Sequence, residues 1–154
     1  MNHEASSIDA IRDGMRACEL PPHVLLAEDD EPMRAMLARL LRDEGYDVTE
    51  VDNGAQLIRV LELAGASKLQ VELVITDVRM PGFSGLEVLE YMRFTGWSVP
   101  VIVMTSAGDE RTHAEARDLD ASEVLDMPFE IATFKAAITP ILPPPSSRPK
   151  MVTA

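Results

Sequence analysis

A doubly wound α/β domain, with a parallel five-stranded sheet and five helices, is the fold this sequence predicts, and three observations predict it. Short apolar runs recur at five places, and the segments between them carry apolar residues at helical spacing. The run Leu73, Val74, Ile75 leads straight into Asp77, and Pro81 and Gly82 then force the backbone to turn. A strand covered on both faces needs apolar side chains on both, whereas a surface helix needs only one stripe. Strands alternating with helices give a parallel sheet, and right-handed crossovers set the helices on both of its faces.

The elements follow in order. Residues 24–27 are a short apolar strand, followed at once by Glu28, Asp29, Asp30, Glu31 and Pro32. Proline with acids around it favours a helix start, and Met33, Met36, Leu37, Leu40 and Leu41 mark one face of the helix that Gly45 ends. Residues 46–51 form the second strand, Ala55, Leu57, Ile58, Leu61 and Ala64 the second helix, and 65–70 the connection to the third strand. Leu86, Val88, Leu89 and Met92 give the third helix, closed by Gly96. Residues 99–104 are a buried strand that ends in Thr105 and Ser106. The helix expected over 107–119 has few large apolar residues, which predicts loose packing. Residues 121–125 make the last strand, and Ile131, Phe134, Ala137, Ile138 and Ile141 the last helix.

Both ends read as appendages to a domain over 22–142. In residues 1–21, Ile8, Ile11, Met15 and Cys18 recur at helical spacing up to Pro21 and Pro22. That is a weak amphipathic helix that docks, pairs with a second copy, or frays. Residues 143–154 are Pro-rich and read as a tail.

Composition narrows the function. A net charge of -12 over 154 residues argues against a general nucleic-acid surface, which needs clustered Lys and Arg. One cysteine cannot form an internal disulfide, and there is neither a basic-then-apolar leader nor a span of membrane length, so a cytoplasmic protein is expected. His3, His23 and His113 are scattered without ligand spacing.

The candidate chemistry lies at the strand ends. Asp29 and Asp30 follow the first strand, Asp77 the third and Thr105 the fourth, and in a parallel sheet these ends share one edge, where ligands bind. Several carboxylates without His or Cys make a hard oxygen site suited to Mg2+. The turn after the first strand, AEDDEP, has no glycines to cradle a phosphate, which disfavours a dinucleotide.

The motifs LLAEDDEP, ITDVRMPGFSG, VIVMTSAGDE and VLDMPFE, in that order, resemble the receiver domain of bacterial two-component response regulators. The resemblance implies a CheY-like sheet of order 2-1-3-4-5 and a signalling module rather than an enzyme. It makes Asp77 the phospho-acceptor, fed from a sensor histidine kinase or a phosphotransfer protein. By the same resemblance Asp30, Asp77 and the backbone carbonyl of Arg79 are Mg2+ ligands, and Asp29 joins the pocket directly or through water. Thr105 becomes the switch hydroxyl and Ser106 its small neighbour. With no output domain visible, a downstream protein target is expected to engage the receiver itself, without direct nucleic-acid contact; a homodimer is compatible with this.

Two departures from the family stand out. Receivers usually carry a lysine before the proline corresponding to Pro128, and here that residue is Met127. Many have an aromatic residue at the position of Val124. The lysines are Lys68, Lys135 and Lys150, none in an obvious substitute position, which leaves Arg79 or Arg111 to swing inward. The Met127–Pro128 bond is expected to be cis. Two readings follow: a phosphorylated switch with altered rates, or a degenerate receiver read by its partners without phosphorylation.

Overall fold

The computed structural model describes residues 20–67, 70–106 and 109–145. The helix expected within residues 1–21 and most of the expected tail fall outside these residues. The strands are β1 (His23–Ala27), β2 (Asp47–Val51), β3 (Leu73–Asp77), β4 (Val101–Ser106) and β5 (Glu123–Met127). The helices are α1 (Glu31–Asp43), α2 (Gly54–Ser67), α3 (Gly85–Phe94), α4 (Glu110–Asp118) and α5 (Ile131–Ile138). All five strands are parallel, in the order β2-β1-β3-β4-β5. This is the CheY-like fold expected.

Strand alternation divides the core in two. Val24 and Leu26 of β1, Leu73 and Ile75 of β3, and Ile102 and Met104 of β4 face a cluster with Leu37 and Leu41 of α1 and Phe134 and Ile138 of α5. Leu25, Val74, Val101 and Val103 face the other side, against Leu57 and Leu61 of α2, Val88, Leu89 and Met92 of α3 and Ala116 of α4. β1 and β3 are buried at all five positions, as a sheet covered on both faces requires.

Local chemistry sets the helix starts. Asp30 accepts a hydrogen bond from the Met33 amide at 3.1 Å and so caps α1. Ser84 and Glu87 form a reciprocal capping box at α3. Asp109 caps α4 through the Thr112 amide and hydroxyl.

Three differences from the sequence expectation concern the edges. β4 ends in Thr105 and Ser106 as expected, whereas β5 runs two residues beyond its expected end, because the parallel ladder continues through Thr105↔Asp126 and Ser106↔Met127 whatever the side chains are. Met36, placed on the apolar face of α1, is instead 47% exposed; the buried stripe is Leu37, Ala38 and Leu41. The start of the expected tail is packed: Leu142 and Pro144 are buried, Pro145 lies against Gly45, and the Tyr46 hydroxyl donates to the Leu142 carbonyl. Only Thr112 and Ala116 of α4 are buried, in keeping with its sparse apolar stripe.

Candidate functional site at the carboxyl edge of the sheet

β1 and β3 are neighbours in register, Ala27 opposite Thr76, so the residues just past β1 and at the end of β3 meet. Carboxylate oxygens of Glu28, Asp29 and Asp77 lie within 4.8 Å of one another. Asp29 is exposed, Glu28 is 1% exposed and Asp77 6%. Asp30, expected among the metal ligands, stands outside this set because its carboxylate caps α1.

Glu28 takes the place in the acid set that Asp30 was expected to hold. The β1 ladder extends through its amide to the Val51 carbonyl at 3.1 Å, and Arg34 donates to its carbonyl at 2.9 Å. Its Oε1 accepts from the Asp30 amide at 3.1 Å, while Oε2 is buried without a partner. A period-two signal was available in the sequence. Glu28 continues the alternation of Val24 and Leu26, and Asp77 that of Leu73 and Ile75, so both belong to the same face.

Burial and crowding govern the electrostatics. Burial, with Asp77 and Asp29 close by, pushes the Glu28 carboxyl up to about 8 against the pull of the Asp30 amide. Asp77 is also raised, mainly by burial and partly by Asp29, although the Arg79 amide bonded to its Oδ1 at 3.1 Å opposes the rise. Packed anionic oxygens, one of them buried and unpartnered, fit a hard divalent cation.

The loop after Asp77 is held by close backbone contact. Gly85 donates to the Val78 carbonyl at 2.9 Å, and a Cβ on Gly85 would stand 2.3 Å from the Asp77 carbonyl oxygen. Gly82 adopts φ +78° in the turn between them.

The remaining expected residues take these places. Thr105 is buried in β4, one residue beyond the partner of Asp77, and Ser106 follows it, exposed, opposite Met127. The Met127–Pro128 bond is cis, and Met127 packs against the cluster that contains Leu125 and Phe134. Val124 packs on the other cluster. Arg79 has its amide at the Asp77 carboxylate and its side chain exposed, whereas Arg111 is 90% exposed and paired with Glu115 on its own helix. Lys135 is paired with Glu44, next to α1.

Comparison with known proteins agrees with the geometry. The response regulator receiver domain model matches residues 24–139. The transcriptional regulatory protein FixJ of Azorhizobium caulinodans is 40% identical over 119 residues, which cover 77% of this chain and 53% of that protein. Sporulation initiation phosphotransferase F of Bacillus subtilis is 28% identical over 120 residues, 78% of this chain and 93% of that protein. The chain spans about half the length of several curated relatives it matches, with 49% of protein PetR of Rhodobacter capsulatus as a further case. Among solved structures, the chemotaxis response regulator CheY4 of Vibrio cholerae superposes with a TM-score of 0.67 at 26% identity, over 79% of this chain and 99% of that one. A matching family model over most of the folded region, the strand order and the acidic edge together lead to one conclusion: the chain belongs to the response regulator receiver domain family.

Proposed function

We propose that this receiver accepts a phosphoryl group on Asp77 from the phosphohistidine of a sensor histidine kinase or phosphotransfer protein, with Mg2+ held at the acidic edge. The observation that carries the reading is the convergence of Glu28, Asp29 and Asp77, with Glu28 Oε2 buried and unpartnered. Glu28, Asp29 and Asp77 are the residues that would hold the ion, with the Arg79 carbonyl, and Asp30 serves the helix. When bound, the ion neutralises the carboxylates and the oxygens of the phosphoryl group.

An Asp77 carboxylate oxygen forms the bond to phosphorus as the P–N bond of the donor breaks, and the electron pair of that bond returns to the imidazole. The Arg79 amide at Asp77 Oδ1 keeps the nucleophile oriented toward the edge. The Thr105 hydroxyl, near the end of the adjacent strand, is the donor that would turn to the new phosphoryl group and carry β4 and the start of α4 with it. A downstream protein would read the change over α4, β5 and α5. Among the described residues no helix is long and apolar enough to cross a membrane, which is compatible with a cytoplasmic site of action.

The test is incubation with acetyl phosphate and Mg2+ followed by intact mass. Gain of one phosphate by the wild type and none by Asp77→Asn is the expected result. Met127, packed on the core where the family has lysine, favours a second reading in which partners bind the receiver without phosphorylation. Absence of phosphate with acetyl phosphate and with a kinase donor alike would decide for that second reading.

A further inference from the structure

Glu28 is a buried carboxylate among other acids, and three neighbours hold it there. β2 provides the first hold, since the Glu28 amide donates to the Val51 carbonyl at 3.1 Å. The loop provides the second: Oε1 accepts from the Asp30 amide at 3.1 Å while the Asp30 carboxylate caps α1. α1 provides the third. β2 ends at Val51, and Arg34 Nη1 donates to the Glu28 carbonyl at 2.9 Å. What remains is Oε2, buried and unpartnered.

Arg34 is itself fixed. Its side chain is mostly buried, and Nε lies 3.6 Å from Glu50 Oε1 on β2. The other Glu50 oxygen accepts from Arg42 Nη1 at 3.0 Å, and Arg42 Nη2 donates to the Val48 carbonyl at 3.0 Å. Two arginines of α1 thus clasp one β2 carboxylate; from it Arg34 reaches to the acid loop and Arg42 to β2. A guanidinium carries separate donors on one rigid plane, so Arg34 meets the Glu28 carbonyl and Glu50 together, which the single point of an ammonium cannot do in that geometry. Burial and like charge both work against a carboxylate at this place, so an unheld Glu28 would turn out to water.

We infer that Arg34 is a positioning residue for the ion site: by tying the Glu28 carbonyl to α1 and Glu50, it keeps Glu28 Oε2 beside the carboxylates of Asp29 and Asp77 before an ion arrives. This rests on those carboxylates being the ion site. A ligand ordered in advance spares the ion the cost of ordering it, and groups that orient a ligand therefore show in metal affinity.

The test uses the whole chain with Mn2+ as the probe, its binding followed by loss of the free-ion electron paramagnetic resonance signal. Arg34→Gln should weaken Mn2+ binding about tenfold, the lower end for loss of a group that orients a metal ligand. The sign is diagnostic, because by charge alone the removal of a cation near an acidic site would tighten the ion. Arg34→Lys keeps the charge without the two-point grip and should bind about threefold more weakly than the wild type. Arg42→Gln gives up its own share of the Glu50 clasp and a carbonyl bond, yet should bind Mn2+ as the wild type does. In the metal-free chain the Asp30 amide should exchange its hydrogen about tenfold faster in Arg34→Gln and at the wild-type rate in Arg42→Gln. Binding by Arg34→Gln as tight as the wild type or tighter, or equally weak in Arg42→Gln, overturns the inference alone. Should Arg34→Gln fail to fold, wild-type affinity in Arg34→Lys overturns it in the same way. Failure of the wild type to bind Mn2+, or binding unaltered in Asp77→Asn, overturns it along with the reading of the acid edge as the ion site.

Discussion

Replacing Glu28 by glutamine should make the metal-free domain more stable in mildly alkaline solution, the opposite of what truncating a buried hydrogen-bonded group usually does. Glutamine keeps the acceptor for the Asp30 amide and removes a negative charge from beside Asp77 and Asp29. Glu28 rises from an ordinary 4.5 to about 8 in the fold. The folded protein therefore binds more protons than the unfolded chain between those values, so stability is full below 4.5 and falls as pH climbs toward 8. At 1.36 kcal/mol per unit the whole rise is about 5 kcal/mol, the most that glutamine can return. A return of about 2–3 kcal/mol corresponds to roughly 4–10 °C in Tm for a domain of this size. Thermal unfolding in chelator, followed by circular dichroism from pH 5 to pH 8.5, should show the wild type falling away from Glu28→Gln as pH rises and meeting it near pH 5. Added Mg2+ should raise the wild type at pH 8.5 and raise the variant less. Two curves running parallel across the range, or a wild type that gains stability with pH relative to the variant, would refute the account of a crowded, desolvated acid pair.

Other outcomes follow from single contacts. Gly85→Ala should cost about 3 kcal/mol or more in denaturant unfolding, because its Cβ would meet the Asp77 carbonyl at 2.3 Å, and it should cost more than Gly96→Ala, whose only penalty is φ +82°. Ser84→Ala removes the capping box of α3 and should cost about 1 kcal/mol by the same assay. His113 Nε2 and Asp126 Oδ1 lie 2.6 Å apart and tie α4 to β5; a double-mutant cycle of His113→Gln with Asp126→Asn at pH 6 should give a coupling of about 1 kcal/mol or less, since Asp126 is half exposed.

How far the sequence could be read depended on what each residue had to satisfy. Val74 and Ile75 announce a buried strand because a sheet sandwiched between helices tolerates nothing else, and Asp77 at its end is placed by that run. The acids after β1 were ambiguous: Glu28, Asp29 and Asp30 are all anionic, and composition does not say which points at the site. Asp30 does the capping that its position before Glu31 and Pro32 allowed, and Glu28 goes inward because it continues the pleat of Val24 and Leu26. The end of β5 was unreadable from hydropathy, since Asp126 pairs with Thr105 through the backbone with no apolar demand. Met36 misled because α1 touches the sheet along Leu37, Ala38 and Leu41, a narrower stripe than its count of apolar residues implies.

The docking of Leu142, Pro144 and Pro145 over the junction of α1 and β2 bears on how this domain can be cut or fused. A fragment stopped at residue 139, where the match to the family ends, would strip the carbonyl from the Tyr46 hydroxyl and bare the end of α5. A graft joined beyond residue 145 keeps those contacts. The useful boundary lies a few residues outside the shared motif, past the contacts that residues 142–145 make with Gly45 and Tyr46.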